Sequence, residues 1–183
     1  MVATVPPVAT AGDVVDNPAG RMQLRFLRTA ADTNGELVEM EATYQPGSVE
    51  PLEHFHPRQE EHFEIASGEM RARIEGEERT LSAGEELDIP QGTVHAMWNE
   101  GDGEARVVWQ TRPALRTEDL LVAVGRLAQE GKLSAKGAGN PLLGAALMHE
   151  FRAEFRPTSP PPPVQAIAFP ALAMLARLLG QRP

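Results

Sequence analysis

A pair of histidines followed by acidic residues is the first candidate for chemistry in this sequence. His54 and His56 lie two positions apart on a predicted strand, and Glu61 begins the next predicted strand after a short turn. Because side chains alternate across a strand, both imidazoles point to the same face. Glu60 is a rival donor, but it faces outward if Glu61 faces the interior. Two imidazoles and a carboxylate that converge in an apolar lining could hold a divalent transition metal ion.

A second stretch, residues 84–99, could complete this site. A turn at Pro90 leads into a predicted strand that carries His95, Met97 and Asn99 on one face. His95 could therefore supply a ligand from an adjoining strand. The alternative is that the histidines only hydrogen-bond one another, but several buried polar groups without partners would destabilise the fold. We therefore expect four metal ligands: His54, His56, Glu61 and His95.

The same strand faces could line a pocket beside the ion. Phe63 shares a face with Glu61, and Met97 shares a face with His95, so we expect these two apolar side chains nearest the metal. Gln59 lies near the entrance, where it either contacts the ligands or faces solvent. Core packing is the simpler role for most of the apolar side chains, but those that line a pocket would favour a partly apolar substrate. The candidate pocket residues are Tyr44, Met40, Phe63, Met97 and Gln59.

Short strands separated by frequent turns must position these side chains. Between residues 21 and 112, apolar residues alternate in RMQLRFLRT and in LVEMEATY, and turn-forming residues recur between such runs. This pattern is typical of an antiparallel sandwich or barrel. We predict a barrel over 21–113, preceded over 1–20 by a loose arm or one edge strand near Val14.

A helical extension is predicted over residues 114–183. Thr117 is expected to cap a first helix, and Asn140 followed by Pro141 is expected to begin a second. A proline-rich linker is predicted at 157–163, before the final helix.

The final helix is almost wholly apolar, since only Gln165 and Arg177 interrupt its surface. A membrane span needs about 20 residues, and Pro170 would kink a helix of this length. We predict that this helix packs across the barrel or onto a partner subunit, with shallow membrane association as the alternative.

Composition argues against several classes of protein. The formal net charge of the 183 residues is −9, and the basic residues are scattered singly among acids, which argues against nucleic-acid binding. The chain has no cysteine, so neither a disulfide framework nor a thiolate metal site can form. The N-terminus lacks the basic and long apolar segments of a signal peptide, and we expect a cytoplasmic protein.

These two histidine-bearing stretches resemble the two sequence motifs of the cupin superfamily. The resemblance covers roughly residues 35 to 112 and leaves out the C-terminal third. The gap from Gly47 to His54 is one residue longer than the usual pattern and falls in a turn. The first motif is matched by Gly47, His54, His56, Glu61 and Gly68, and the second by Gly84, Pro90, Gly92, His95 and Asn99.

The resemblance implies an all-β, double-stranded β-helix (jelly-roll) barrel, with one metal ion held by three histidines and one glutamate. Fe, Mn, Ni, Cu and Zn all suit these donors. Our leading hypothesis is a dioxygenase-like, metal-dependent oxidoreductase that acts on a small, partly apolar organic molecule. The second is a binding module for a small molecule or metal that catalyses nothing. A DNA-binding regulator ranks last, because no basic recognition helix is present. Cupins often pair through their sheets, so we expect a homodimer.

Overall fold

The computed structural model describes residues 8–134, 137–138 and 140–181. Residues 1–7 of the predicted N-terminal arm, like residues 182–183 of the predicted extension, lie outside the described part of the chain. The strands are β1 Val14–Asn17, β2 Met22–Arg28, β3 Val38–Tyr44, β4 His54–Phe55, β5 Glu60–Ser67, β6 Glu69–Ile74, β7 Glu77–Ser82, β8 Glu86–Ile89, β9 His95–Trp98, β10 Ala105–Arg112, β11 Leu133–Ser134, β12 Gly137–Ala138 and β13 Arg156–Pro157. The helices are α1 Thr117–Gln129, α2 Pro141–Glu150 and α3 Pro162–Leu178.

Two antiparallel sheets form the barrel. The larger sheet has the strand order β1-β2-β3-β10-β5-β8, and the smaller has the order β13-β4-β9-β6-β7. The strands that carry His54 (β4), Glu61 (β5) and His95 (β9) are therefore divided between the two sheets. The predicted jelly-roll barrel with a C-terminal helical extension is confirmed.

Alternation along the strands gives the barrel its apolar interior. Along β3, Val38, Met40, Ala42 and Tyr44 are buried, whereas the residues between them are only half-buried. The inner faces of the two sheets pack against each other around these residues. The burial of their apolar surface is the main favourable contribution to the free energy of folding.

Gly68 makes the tight connection between β5 and β6 that brings the two sheets together. Its φ of +79° is a conformation that side chains with a Cβ rarely adopt. A Cβ at this position would lie 2.6 Å from the carbonyl oxygen of Glu104 and 2.9 Å from the Cβ of Ala105. Both the conformation and the space therefore require glycine.

The described end of the N-terminal arm is an edge strand of the larger sheet. β1 pairs antiparallel with β2, with Val14 opposite Arg25. Helix α1 lies against this edge, where a Cβ on Gly125 would meet the Val15 side chain at 2.2 Å. The first helix is thus fixed on the barrel rather than free beside it.

The two caps predicted for the helices differ in outcome. Thr117 is the first helical residue of α1 rather than its cap, because its hydroxyl accepts a hydrogen bond from Nε2 of Gln59 at 2.7 Å. The cap of α2 is as predicted, since Oδ1 of Asn140 accepts a hydrogen bond from the backbone N–H of Leu142 at 2.9 Å.

The proline-rich linker is shorter than the predicted span of 157–163. Pro157 belongs to β13, and Pro162 and Pro163 belong to the first turn of α3. Proline suits a first helical turn because its fixed φ is helical and its missing N–H has no partner there.

Helix α3 packs on α2, through Ala146, Ala173 and Ala176, rather than across the barrel. Its other side exposes Ile167 and Leu178. Within the described residues, no helix is long and apolar enough to cross a membrane.

Candidate metal centre

Neighbouring strands of the smaller sheet bring the histidines together. His54 on β4 lies directly opposite His95 on β9. His56 follows β4, one residue after the strand ends. Glu61 comes from β5 of the other sheet, so the site lies in the barrel interior between the two sheets.

The three imidazoles converge on one point. The ring centroids of His54 and His95 are 4.4 Å apart, those of His54 and His56 are 5.1 Å apart, and those of His56 and His95 are 5.3 Å apart. One ring nitrogen of each histidine lies within 4.8 Å of the corresponding atoms of the other two. The three histidines are therefore positioned to hold a metal ion.

Backbone carbonyls orient all three rings. Nδ1 of His54 lies 2.9 Å from the carbonyl oxygen of Leu52, and Nδ1 of His95 lies 3.0 Å from that of Thr93. Nδ1 of His56 contacts the carbonyl oxygen of Glu154 at 2.5 Å. A carbonyl can only accept, so Nδ1 carries the proton in each ring. Nε2 of each ring then faces the centre of the cluster, as in histidines that bind metals.

The Glu61 carboxylate joins the cluster from the other sheet. Its Oε2 lies 3.1 Å from Nε2 of His56 and 2.9 Å from Nε2 of His95. Its Oε1 accepts a hydrogen bond from Nε1 of Trp109 at 3.0 Å, which fixes the orientation of the carboxylate. The structure thus brings together all four residues that the sequence identified as candidate ligands.

Burial and mutual charge decide the protonation of these groups. Burial, together with the neighbouring imidazoles, lowers the pKa of His54 to about 3. Burial also opposes charge on His56, but the Glu61 carboxylate outweighs it and raises the pKa of His56 above its usual range. Burial alone would raise the pKa of Glu61, whereas His56 and His95 hold that pKa well below its usual range. Glu61 is therefore ionised at neutral pH.

The residues present fit a divalent transition metal ion. Within the described chain, Nε2 of His56 and Oε2 of Glu61 are buried and make no hydrogen bond of acceptable geometry, although they lie close to each other. Buried polar atoms without partners are costly. Imidazole nitrogens and a carboxylate oxygen are donors that such an ion accepts, and an ion between them would satisfy both atoms.

A cavity of about 210 Å³ opens beside the cluster. Its walls come from the barrel strands and from the inner sides of α1 and α2. Most of the lining is apolar, including Met22, Val49, Leu120, Leu121, Val124 and Met148. Of the predicted pocket residues, the four that line this cavity are Tyr44, Phe63, Met97 and Gln59.

The prediction that Met40 lines the pocket is wrong. Met40 shares a strand face with Tyr44 but lies further along β3, where it is fully buried between Phe26 and Trp109 on the two neighbouring strands. Alternation predicts the face on which a side chain lies, but not its depth along the barrel.

Gln59 neither contacts the histidines nor faces solvent. Its side chain is buried, and its Nε2 donates to the carbonyl oxygens of Pro113 (2.7 Å) and Ala114 (3.2 Å) as well as to the hydroxyl of Thr117. These two carbonyls fix the orientation of the amide. Among the described residues, Oε1 of Gln59 has no hydrogen-bond partner, although the residue lines the cavity.

Two residues of the site escaped the sequence analysis. Glu154 and Phe155 lie in the C-terminal extension and line the cavity. Phe155 stacks on the His54 ring, with a centroid distance of 4.4 Å and an interplanar angle of 21°. No motif or spacing marks either residue, because 98 positions of chain separate Glu154 from its partner His56.

Comparison with known proteins agrees with this architecture. Residues 40–111 match the family described as the cupin domain. The tetracenomycin polyketide synthase protein TcmJ of Streptomyces glaucescens is 36% identical over 61 residues, which are 33% of this chain and 41% of that protein. Polyketide synthase CurC of Streptomyces cyaneus is 38% identical over 61 residues, which are 33% of this chain and 40% of that protein. The chain thus spans less than half the length of these curated relatives.

Among solved structures, an RmlC-like cupin from Shewanella frigidimarina NCIMB 400 matches 58% of this chain and 88% of its own, with a TM-score of 0.49 and 18% identity. The family match covers the strands from β3 to β10, which contain all four candidate ligands. Residues 40–111 of this chain therefore match the cupin domain, and the described residues contain one barrel of this type followed by a helical extension.

Proposed function

We propose that this protein is a metal-dependent enzyme, dioxygenase-like, that acts on a small, partly apolar organic molecule. The observation that carries the proposal is the convergence of three imidazoles and one carboxylate at the wall of an apolar cavity. Nε2 of each histidine and Oε2 of Glu61 would hold one ion of Fe, Mn, Ni, Cu or Zn.

Such an ion, when bound, supplies either a Lewis acid for an oxygen of the substrate or a redox centre. The chain's own residues prepare the site around it. The apolar side chains of α1 and the barrel strands line the cavity, and apolar surroundings strengthen the electrostatic interactions of groups inside them. Trp109 holds the Glu61 carboxylate in one orientation through its Nε1–H.

The lining of the cavity indicates the kind of molecule that would bind. Among the described residues, no lysine or arginine lines it, whereas the carboxylate residues Glu61 and Glu154 both do. A phosphorylated or multiply anionic substrate would therefore meet no positively charged group in this lining other than the metal ion. These features favour an uncharged, mostly apolar molecule that carries a metal-binding oxygen.

The names of the curated relatives support one substrate class within this proposal. Both are named as polyketide synthase proteins. Polyketides carry ketone and hydroxyl oxygens on an apolar carbon skeleton, which suits a cavity of this composition. We therefore propose a polyketide-like substrate for this chain as well.

A non-catalytic binding module is the second candidate. Oε2 of Glu61 lies within hydrogen-bond distance of two imidazoles, so the cluster is partly balanced by the protein alone. A barrel with such a cluster could take up a small molecule and release it unchanged.

Elemental analysis of untagged protein, never exposed to chelators, tests the metal site. We expect about one equivalent of a transition metal in the parent and its loss in His54→Ala. His62→Ala is the matched control, because His62 lies on β5 but its Nδ1 contacts Asp88 at 2.7 Å instead of the cluster. A parent without metal, or equal loss in both variants, would contradict the proposed centre.

Anaerobic titration of the Fe or Ni form with enediols and flavonols then separates the two candidate functions. A change in the metal spectrum, followed by dioxygen uptake when air is admitted, would support the enzyme. A spectral change without turnover would favour the binding module.

The homodimer and the cytoplasmic location also belong to this proposal. Sedimentation equilibrium at micromolar concentration should give twice the chain mass, and a monomer mass would contradict the dimer.

A further inference from the structure

The C-terminal extension reaches back into the metal centre. After α2 ends, the chain turns and forms β13, which pairs antiparallel with β4. In this register Pro157 lies opposite His54, and Arg156 lies opposite Phe55. The strand that carries the first candidate ligand is therefore held between β9 of the barrel and a strand from the extension.

Phe155 packs on one face of the His54 ring. The two rings stack, and the His54 ring also contacts His95 at a centroid distance of 4.4 Å. The imidazole of His54 thus lies between Phe155 and His95. Rotation of its side chain would break the stack as well as the contact of Nδ1 with the Leu52 carbonyl oxygen.

Glu154 fixes the second imidazole through its main chain. Its carbonyl oxygen accepts the hydrogen bond from Nδ1 of His56. Its buried carboxylate accepts a hydrogen bond from the backbone N–H of Arg116 at 3.3 Å, next to the start of α1. The carbonyl is therefore held in place by the extension on one side and by the first helix on the other.

We infer that residues 154–157 complete the metal centre, with Phe155 as a positioning residue for His54 and the Glu154 carbonyl as the partner that orients His56. The barrel alone supplies the ligand atoms, and the extension supplies the contacts that keep two of the imidazoles in their binding orientation. Groups that orient metal-binding histidines in this way typically change metal affinity by about 10- to 100-fold when they are lost. This inference rests on the metal site proposed above.

Phe155→Leu tests the inference, because leucine fills most of the apolar volume but has no flat face to stack on an imidazole. Phe155→Tyr keeps the flat face. Phe151→Leu is the matched control, since Phe151 is buried in the same extension and in the same apolar cluster that Phe155 packs against, but its ring lies under the guanidinium of Arg116 rather than on His54. Cobalt(II) and zinc(II) affinities are measured on the full chain by competition with a chromophoric chelator, together with the visible spectrum of the cobalt form.

We expect Phe155→Leu to weaken both affinities about 10-fold or more and to change the cobalt spectrum. Phe155→Tyr and Phe151→Leu should remain close to the parent. Parent-like binding and spectrum in Phe155→Leu would overturn the inference. Equal loss in Phe151→Leu would also overturn it, because general loosening of the extension would then explain the result.

A second measurement does not depend on metal. In the metal-free parent, the Phe155 ring should shift the His54 ring protons upfield in the NMR spectrum, and Phe155→Leu should abolish this shift. If the parent binds no metal, the proposed function fails, whereas the absence of the upfield shift would refute the contact itself.

Discussion

Trp109 and Glu61 form a hydrogen bond between adjacent strands of the larger sheet, with Nε1 of the indole 3.0 Å from Oε1 of the carboxylate. The bond leaves Oε2 of Glu61 facing the imidazoles of His56 and His95. Oε1 thus holds the carboxylate in one orientation through Trp109, and Oε2 contacts the histidine cluster.

Replacement of this indole should weaken both the fold and the metal site. Trp109→Phe leaves a buried carboxylate oxygen without its donor, which should lower the free energy of unfolding by about 1–3 kcal/mol. The freed carboxylate should also bind metal less tightly. Urea unfolding of the metal-free protein and chelator competition measure the two effects.

Trp98→Phe is the matched control for that experiment. Trp98 is buried and Trp109 is partly buried, but Trp98 packs under the guanidinium of Arg73 rather than against Glu61. We expect its metal affinity to equal that of the parent. If both tryptophan variants bind metal equally well, the orienting role of Trp109 is refuted.

Metal affinity should fall as the pH falls. The pKa of His56 is raised above its usual value of 6.5, so at any pH below that raised pKa its Nε2 holds a proton that must leave before a metal ion can bind. His54, with a pKa of about 3, is already neutral and adds nothing over this range. Competition by the proton is therefore weak at high pH and grows as the pH falls through the raised pKa of His56.

Calorimetric titration with zinc(II) in buffers of different ionisation enthalpy measures this competition. We expect release of about one proton per ion from His56 when the pH lies below its pKa, and little release well above it. If the zinc affinity stays constant from about pH 8 to about pH 5.5, no proton on His56 competes with the metal ion and the prediction is wrong.

The amide of Gln59 should contribute to stability by joining the barrel to α1. Gln59→Met removes its bonds to the carbonyls of Pro113 and Ala114 and to the hydroxyl of Thr117. We expect a loss of about 1–3 kcal/mol in urea unfolding, because these buried groups lose their donor. Gln129→Met, at an exposed hydrogen bond on the same helix, should change stability by no more than about 0.5 kcal/mol. Similar effects of the two substitutions would refute this role.

Two glycine substitutions should distinguish the stability lost to a steric clash from the stability lost to an unfavourable backbone conformation. Gly68→Ala places a Cβ 2.6 Å from a backbone oxygen at a φ of +79°, whereas Gly76→Ala meets nothing within 4 Å at a φ of +84°. The second substitution should cost only the conformational penalty of about 1–2 kcal/mol. Thermal unfolding should therefore show a clearly larger loss for Gly68→Ala, and equal losses would mean that the two sheets can separate at this turn without cost.

The sequence predicted the barrel and the four convergent side chains because both depend on local rules. His54 and His56 share a short segment, and strand alternation decides their face. The position of Met40 was predicted wrongly because alternation does not give depth along a strand. The role of Gln59 was not predicted because its partners lie just before and at the start of α1, 54 to 58 positions later in the chain.

Phe155 shows the same limit more strongly. It follows a helix and precedes a proline-rich segment, so its surroundings in the sequence indicate a connection and no more. Its stack on His54 depends on how α2 and β13 pack against the barrel. A contact of this kind is decided by tertiary packing, and no local pattern carries it.

The pairing of β13 with β4 also gives an order to the synthesis of this protein. His54 and His56 leave the ribosome 98 residues or more before the segment that orients them. All ten strands of the barrel from β1 to β10 are therefore made before Glu154 and Phe155. A chain that ended before residue 154 would contain His54, His56, Glu61 and His95 but would lack the Phe155 ring and the Glu154 carbonyl that orient two of the imidazoles.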